Sequence, residues 1–195
     1  VSLSFGSVRL NPANPSVVMP FDNQDGDRAT AILEQNLANN LKLTAQTAYV
    51  SWAADRTNDI DFTAYRLVDI SDAEDNEVFS QELRLGTSQP GRFTFNAGVF
   101  FYSNKYGIHR TVASDLGISL NALARTKTTS WSLFSSGRME VSDTFALRGG
   151  IRQSWEDKTV EYNLSGSLAK LPGVRTLPTQ SNAETDGDVG LEYRP

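Results

Sequence analysis

The stretch FSQELRLGTSQPGRFTFNAGVFF, residues 79–101, decides the fold. It reads as strand, tight turn, strand, with GTSQPG at 86–91 supplying the turn. Phe93, Phe95, Ala97, Val99 and Phe101 fall on one face of the second strand, and Arg92, Thr94, Asn96 and Gly98 on the other. In the first strand Phe79, Leu83 and Leu85 oppose Ser80, Glu82 and Arg84. A phenylalanine face backed by a wet face is either a lipid-facing wall or half of a sheet whose core lies elsewhere.

The pattern recurs along the chain. Alternation predicts strands near 1–10, 28–38, 41–53, 76–86, 92–104, 129–141, 145–158 and 186–194. Short connections at Asn39–Asn40, 86–91 and 142–144 alternate with long polar ones near 11–27, 54–75, 105–128 and 159–185. In a chain of consecutive antiparallel strands this places every short turn at one end and every long loop at the other. Outer-membrane barrels have that arrangement, with short periplasmic turns and long extracellular loops. Phe145, Leu147, Gly149 and Ile151 share a face, while Arg148 and Arg152 share the opposite one. Two arginines in one strand suit a watery lumen and not lipid, where each costs about 2–4 kcal/mol at the midplane. Trp52, Tyr102, Trp131, Trp155 and Tyr193 fall near strand ends, as interfacial aromatics would.

Composition agrees and excludes several functions. The 195 residues are 39% hydrophobic, with ten Phe, six Tyr and three Trp, and no run approaches the roughly 18 apolar residues of a membrane helix. Barrel strands need only about 9–11 residues each. A net charge of −5 offers no basic patch for phosphates of nucleic acid, so no nucleic-acid partner is expected. The absence of cysteine removes disulfides, thiolate catalysis and Cys-type metal sites. VSLSFGSVRL at the start lacks the character of a signal peptide.

Four pieces together resemble the β-barrel of TonB-dependent outer-membrane receptors of the iron-complex group. They are LKLTAQTAYVSW (41–52), FSQELRLGTSQPGRFTFNAGVFFY (79–102), SWSLFSSGRMEVSDTFALRGGIRQSWEDK (130–158) and GDVGLEYRP (187–195). The resemblance implies an all-β, antiparallel up-and-down transmembrane barrel of the large plugged type with about 22 strands. Residues 1–195 would then supply about eight strands, a partial barrel domain without plug or remaining strands, and an open curved sheet if isolated. It further implies an energy-coupled importer for ferric siderophores or similar scarce ligands. Its partners would be outer-membrane lipid, the plug of its own parent chain, the TonB energy-transducing complex and a ferric chelate. A soluble β-rich binding or adhesive module and a passive porin-type channel are the alternatives.

No enzymatic chemistry, cofactor or metal site is expected. His109 is the single histidine, and no nucleophile-elbow spacing accompanies it. Asp22, Asp25 and Asp27 around Gly26 suggest a calcium loop, but Ile32 stands where the pattern needs Glu, so an Asp/Gly-rich turn is expected. SDAEDNE (71–77) reads as a solvated loop leading into a strand. Glu82, Arg84, Asn96, Arg138, Glu140, Arg148 and Arg152 are expected on the lumen, mainly against the plug. Tyr102, Tyr106, His109 and Arg110 are the substrate-binding candidates, placed on a long loop where recognition residues usually sit.

Overall fold

The computed structural model describes residues 20–37, 39–60, 68–114, 116–168 and 173–193. The strand expected at 1–10 lies outside the described residues. Eight strands run in chain order: β1 (Phe21–Leu37), β2 (Leu41–Asp59), β3 (Asp69–Thr87), β4 (Phe93–Ala113), β5 (Ser119–Glu140), β6 (Phe145–Ser165), β7 (Gly173–Thr176) and β8 (Gln180–Tyr193). Each pairs antiparallel with the next up to β7, and β8 pairs β6 below β7. Among the described residues the sheet is a simple meander that stays open, with β1 at one edge and β7 followed by β8 at the other.

Turn chemistry explains the reversals on the first rim. Asn39 and Asn40 both take positive φ, 62° and 60°, a conformation that Asn tolerates better than most residues. Asn40 is also tied to the neighbouring turn: its Oδ1 accepts from Ser88 Oγ at 2.6 Å, and its carbonyl accepts from Ser88 N at 2.9 Å. The third short turn is closed by Ser142 Oγ, which accepts from the backbone N–H of Phe145 at 3.1 Å. On the last strand, three residues (177–179) face two on β6 between the pairs Glu161–Thr176 and Lys158–Gln180. This is a one-residue bulge, and Pro178, which cannot donate to a ladder, sits in it.

The register fixes the faces. From β1 to β6, and again in β8, paired residues have numbers of equal parity, as in Tyr49–Phe79, Leu83–Val99, Phe101–Trp131 and Leu147–Leu191. Directly paired residues point to the same side, so odd residues form one face of the sheet and even residues the other. On the odd face Phe93, Leu133, Met139, Ile151, Trp155 and Leu191 are all exposed. Only Ala54, Val112 and Ala146 are buried apolar residues among those described, so the described residues form no packed apolar core on either side. Side chains converge on the even face, where Ser132 is 1% exposed with no second layer above it. That is the crowding expected on the inside of a curved sheet. Phe95 differs from its neighbours: it stacks on Phe93 at 6.1 Å and is half-buried.

The apolar belt has two aromatic borders. Tyr49, Phe79, Phe101, Trp131 and Trp155 lie along the upper one, with Phe101 and Trp131 in ring contact at 4.5 Å. Phe93, Phe145 and Tyr193 form the lower one, the last two 5.1 Å apart. Phe93 to Phe101 spans about 26 Å of strand at ~3.3 Å per residue, or roughly 20 Å of height at a barrel tilt of about 40°. Side chains bring this close to the ~25 Å apolar band of an outer-membrane barrel. Two polar pairs within the belt bond each other across the strands. Thr47 Oγ1 donates to Gln81 Oε1 at 2.5 Å, and Thr185 donates likewise to Gln153. Internal partners of this kind are what a surface without water requires.

Several expectations need correction. The strands run far beyond the belt, to Asp59, from Asp69, to Ala113 and from Ser119, so the connections expected at 54–75 and 105–128 shrink to 60–68 and 114–118. Tyr102, Tyr106, His109 and Arg110 therefore stand on β4 and not on a loop. Asp22, Asp25, Asp27 and the SDAEDNE run are also strand, in β1 and β3. The ladder needs backbone hydrogen bonds and no particular side chains, so polar sequence extends as strand wherever a neighbour is available. Trp52 and Tyr102 have even parity and face away from the aromatic borders.

Candidate functional site

Even parity collects the polar wall. Glu82, Arg84, Asn96, Arg138, Glu140, Arg148 and Arg152 all lie on the even face, as expected of residues sharing one side. Arg138 donates to Glu192 and Glu140, each at 3.0 Å, and Arg84 pairs with Glu82 at 2.7 Å. Arg152 donates to Ser132 at 2.9 Å and to Ser154 at 3.2 Å, with its guanidinium 5.8 Å from the Phe100 ring centre. Arg84–Glu82 and Arg138–Glu140 are pairs two residues apart on one strand, and Glu192 reaches Arg138 from β8 across β6, so the ion pairs hold these side chains although Arg138 and Arg148 are direct partners.

Above the belt the same face carries a second network, which the sequence did not reveal. Arg110 Nε and Nη2 donate to the two carboxylate oxygens of Asp72, directly opposite on β3, at 2.7 and 2.8 Å. Arg56 Nη1 donates to Glu74 Oε1 at 2.8 Å, and Tyr106 Oη donates to the other Glu74 oxygen, also at 2.8 Å. Asp22 lies 3.5 Å from Arg56, and the Trp52 and Tyr106 rings meet at 6.3 Å. Asn104 Oδ1, between Tyr102 and Tyr106 on this face, is buried with no partner among the described residues. The signal available in sequence was parity: Arg56, Asp72 and Glu74 continue the even set of Arg84 and Glu82 through the register.

Of the four binding candidates expected from the sequence, Tyr102, Tyr106 and Arg110 lie on this even face, with Tyr106 and Arg110 in the network and Tyr102 further along the same strand. His109 points to the other side, where its Nε2 is 2.9 Å from Asn121 Oδ1. No group of three or more His, Cys, Asp or Glu that could hold a metal occurs among the described residues.

Protonation follows from these contacts. Hydrogen bonds from Arg110 hold the Asp72 carboxyl below its ordinary value despite burial. Burial first, then the hydrogen bond to Glu74, push the Tyr106 phenol up, so it stays a neutral donor. The folded protein thus releases the Asp72 proton more readily than the unfolded chain does. The resulting stability is complete above the unfolded carboxylate value of about 3.9 and is lost as pH falls through the lowered folded value. Asp72→Asn is expected to flatten this acid limb in denaturant titrations from about pH 2 to 5. An unchanged limb would show that the pair is not maintained. Arg110→Leu should lower stability by about 1–2 kcal/mol, less than for a fully buried pair because solvent reaches one side of Arg110.

The sheet matches a β-barrel segment of a known receptor. That structure is the ferric yersiniabactin uptake receptor FyuA from Yersinia pestis, with a TM-score of 0.78 over 90% of this chain at 15% identity. The chain spans 27% of the length of that receptor. No family model and no curated protein matches the sequence. The likeness establishes the fold, an antiparallel up-and-down barrel wall.

Proposed function

We propose that residues 1–195 are one segment of a larger, plugged outer-membrane barrel that imports a ferric chelate or similar scarce ligand under energy supplied through TonB. The observation that carries the proposal is the odd face: an uncovered belt of large apolar side chains with aromatic borders and self-satisfied polar pairs. Its height suits lipid, and no packed layer covers it. The fold shared with a ferric yersiniabactin uptake receptor supports the cargo class. The open edges of β1 and β8 suit further strands of the parent on both sides.

In this assignment the lower even face, from Arg138 to Arg152, holds the plug by ion pairs and hydrogen bonds. The upper even face, with Trp52, Tyr102, Asn104, Tyr106 and Arg110, meets the ligand on its way in. Arg110 keeps its exposed side for an anionic chelate, and Asn104 Oδ1 offers an acceptor to a donor on the ligand. Binding is non-covalent throughout.

Partition tests the proposal. Within its parent, the chain should fractionate with outer membrane and leave it only in detergent. Recovery as a detergent-free periplasmic monomer would refute the membrane assignment.

A further inference from the structure

Above the aromatic border, apolar alternation returns on β4–β6 with its sign reversed. Ile108 and Val112 on β4, Leu120 on β5, and Val160 and Leu164 on β6 have even numbers and share the lumen side. Ala122 and Ala124 lie between them and leave the middle of the patch shallow. The odd side chains at the same height include His109, Asn121, Arg125, Glu161 and Asn163, with Leu123 the one large apolar residue among them. Below the border the large apolar side chains face lipid, and above it they face inward. Val112 is buried and the other four are half-buried, although no second layer of described residues covers them. An inward apolar surface of this kind, standing above the lipid, marks a place where something docks.

Charge narrows what that is. From the row of Tyr106, Thr126 and Val160 upward, Arg110 is the only charged residue on the even side of β4–β6. Asp72 already holds it by two hydrogen bonds. Beside it Arg56 is met by Glu74 and by Asp22, so two arginines stand against three carboxylates. A polyanion gains nothing from such a cluster, because each cation has its own partner. The lower lumen wall differs, with Arg84, Arg138, Arg148 and Arg152 within three neighbouring rows.

The patch is continuous with the upper network through Arg110 and Tyr106, which alternate with Ile108 and Val112 along the same side of β4. A molecule resting against Tyr106 and Asn104 therefore lays its flank on Ile108 and the side chains beyond it. We infer that the imported chelate has an apolar aryl or alkyl periphery and little net charge, and that Ile108, Val112, Leu120, Val160 and Leu164 form the subsite for that periphery. The inference rests on the importer assignment and adds the chemical class of the cargo.

Tryptophan fluorescence of the complete parent protein in detergent, titrated with iron(III) complexes in excess chelator, tests this. The neutral tris(benzohydroxamate) complex should bind about tenfold more tightly than the tris(acetohydroxamate) complex, which has the same iron centre without the rings. It should also bind more tightly than the trianionic tris(catecholate) complex, whose rings are similar but whose charge is not. Ile108→Thr/Leu164→Thr should lose the preference for rings. Leu123→Thr, at the same height on the other face, should keep it. A preference that survives in the double variant overturns the inference and would indicate partition of the complex into detergent. Equal affinities for the two hydroxamates, binding of neither, or tighter binding of the catecholate overturn it as well. Each of these outcomes leaves the barrel assignment standing, whose own failure would show as a soluble protein in the partition experiment.

Discussion

Leu133→Arg is expected to impair barrel assembly, lowering folding stability by about 2–4 kcal/mol. Leu133 lies in the row Leu83–Val99–Leu133, inside the belt, and is 52% exposed in the isolated sheet. In a bilayer that exposure becomes contact with hydrocarbon, where a guanidinium has no counter-charge. Leu83 and Val99 cannot hydrogen-bond it, and Gln153, its direct partner on β6, is already engaged by Thr185 and carries no charge. Asn182→Arg on the even face of β8 is the control. It stands opposite Glu156 and should stay within about 0.5 kcal/mol of wild type. Urea titration of folding into lipid vesicles measures both. Equal effects at the two positions would reject the assignment of faces.

The belt was legible in sequence because one medium on each side of a strand forces alternation with period two. Phe93 to Phe101 and Phe145 to Ile151 announce their faces, and the Arg148 and Arg152 side follows at once. The short turns were legible for a local reason, since Asn, Ser and Asp carry turn chemistry in their own side chains. Beyond the belt both faces meet water, so the selective pressure for alternation ends while the ladder continues. ADRTND (54–59) and SDAEDNE (71–77) therefore read as loop although they belong to β2 and β3. The upper network was hidden for the same reason. Pairing Arg110 with Asp72 requires the register, and the register is fixed by strands whose sequence resembles loop. For Trp52 and Tyr102, parity decides the face, and nearness to a strand end is the weaker guide.

Gly98→Val sets two physical tendencies against each other and should be decided by contact. Valine is favoured in strands over glycine by up to about 1 kcal/mol, so propensity alone expects stabilisation. Gly98 lies on the even face of β4 between Arg84 and Phe134, its direct partners on β3 and β5. A Cβ there would fall inside contact distance of the Leu83 carbonyl oxygen, 2.7 Å from Phe134 Cζ and 3.1 Å from Arg84 Cγ. The Phe134 ring can rotate away and the arginine stem can bend. The carbonyl cannot, because Leu83 belongs to the β3–β4 ladder and its displacement would pull apart a central strand pair. Overpacking of this kind costs about 1–3 kcal/mol, and more where backbone must move. The net expectation is destabilisation by at least about 2 kcal/mol, with Phe134→Leu restoring only the part due to the ring. Gly107→Ala is the matched comparison, since the nearest atom there is the end of the Asp75 side chain, which can swing into water. It should be near neutral. If Gly98→Val were neutral or stabilising in the same denaturant titration, β3 and β4 would not approach at Gly98 as closely as the register requires.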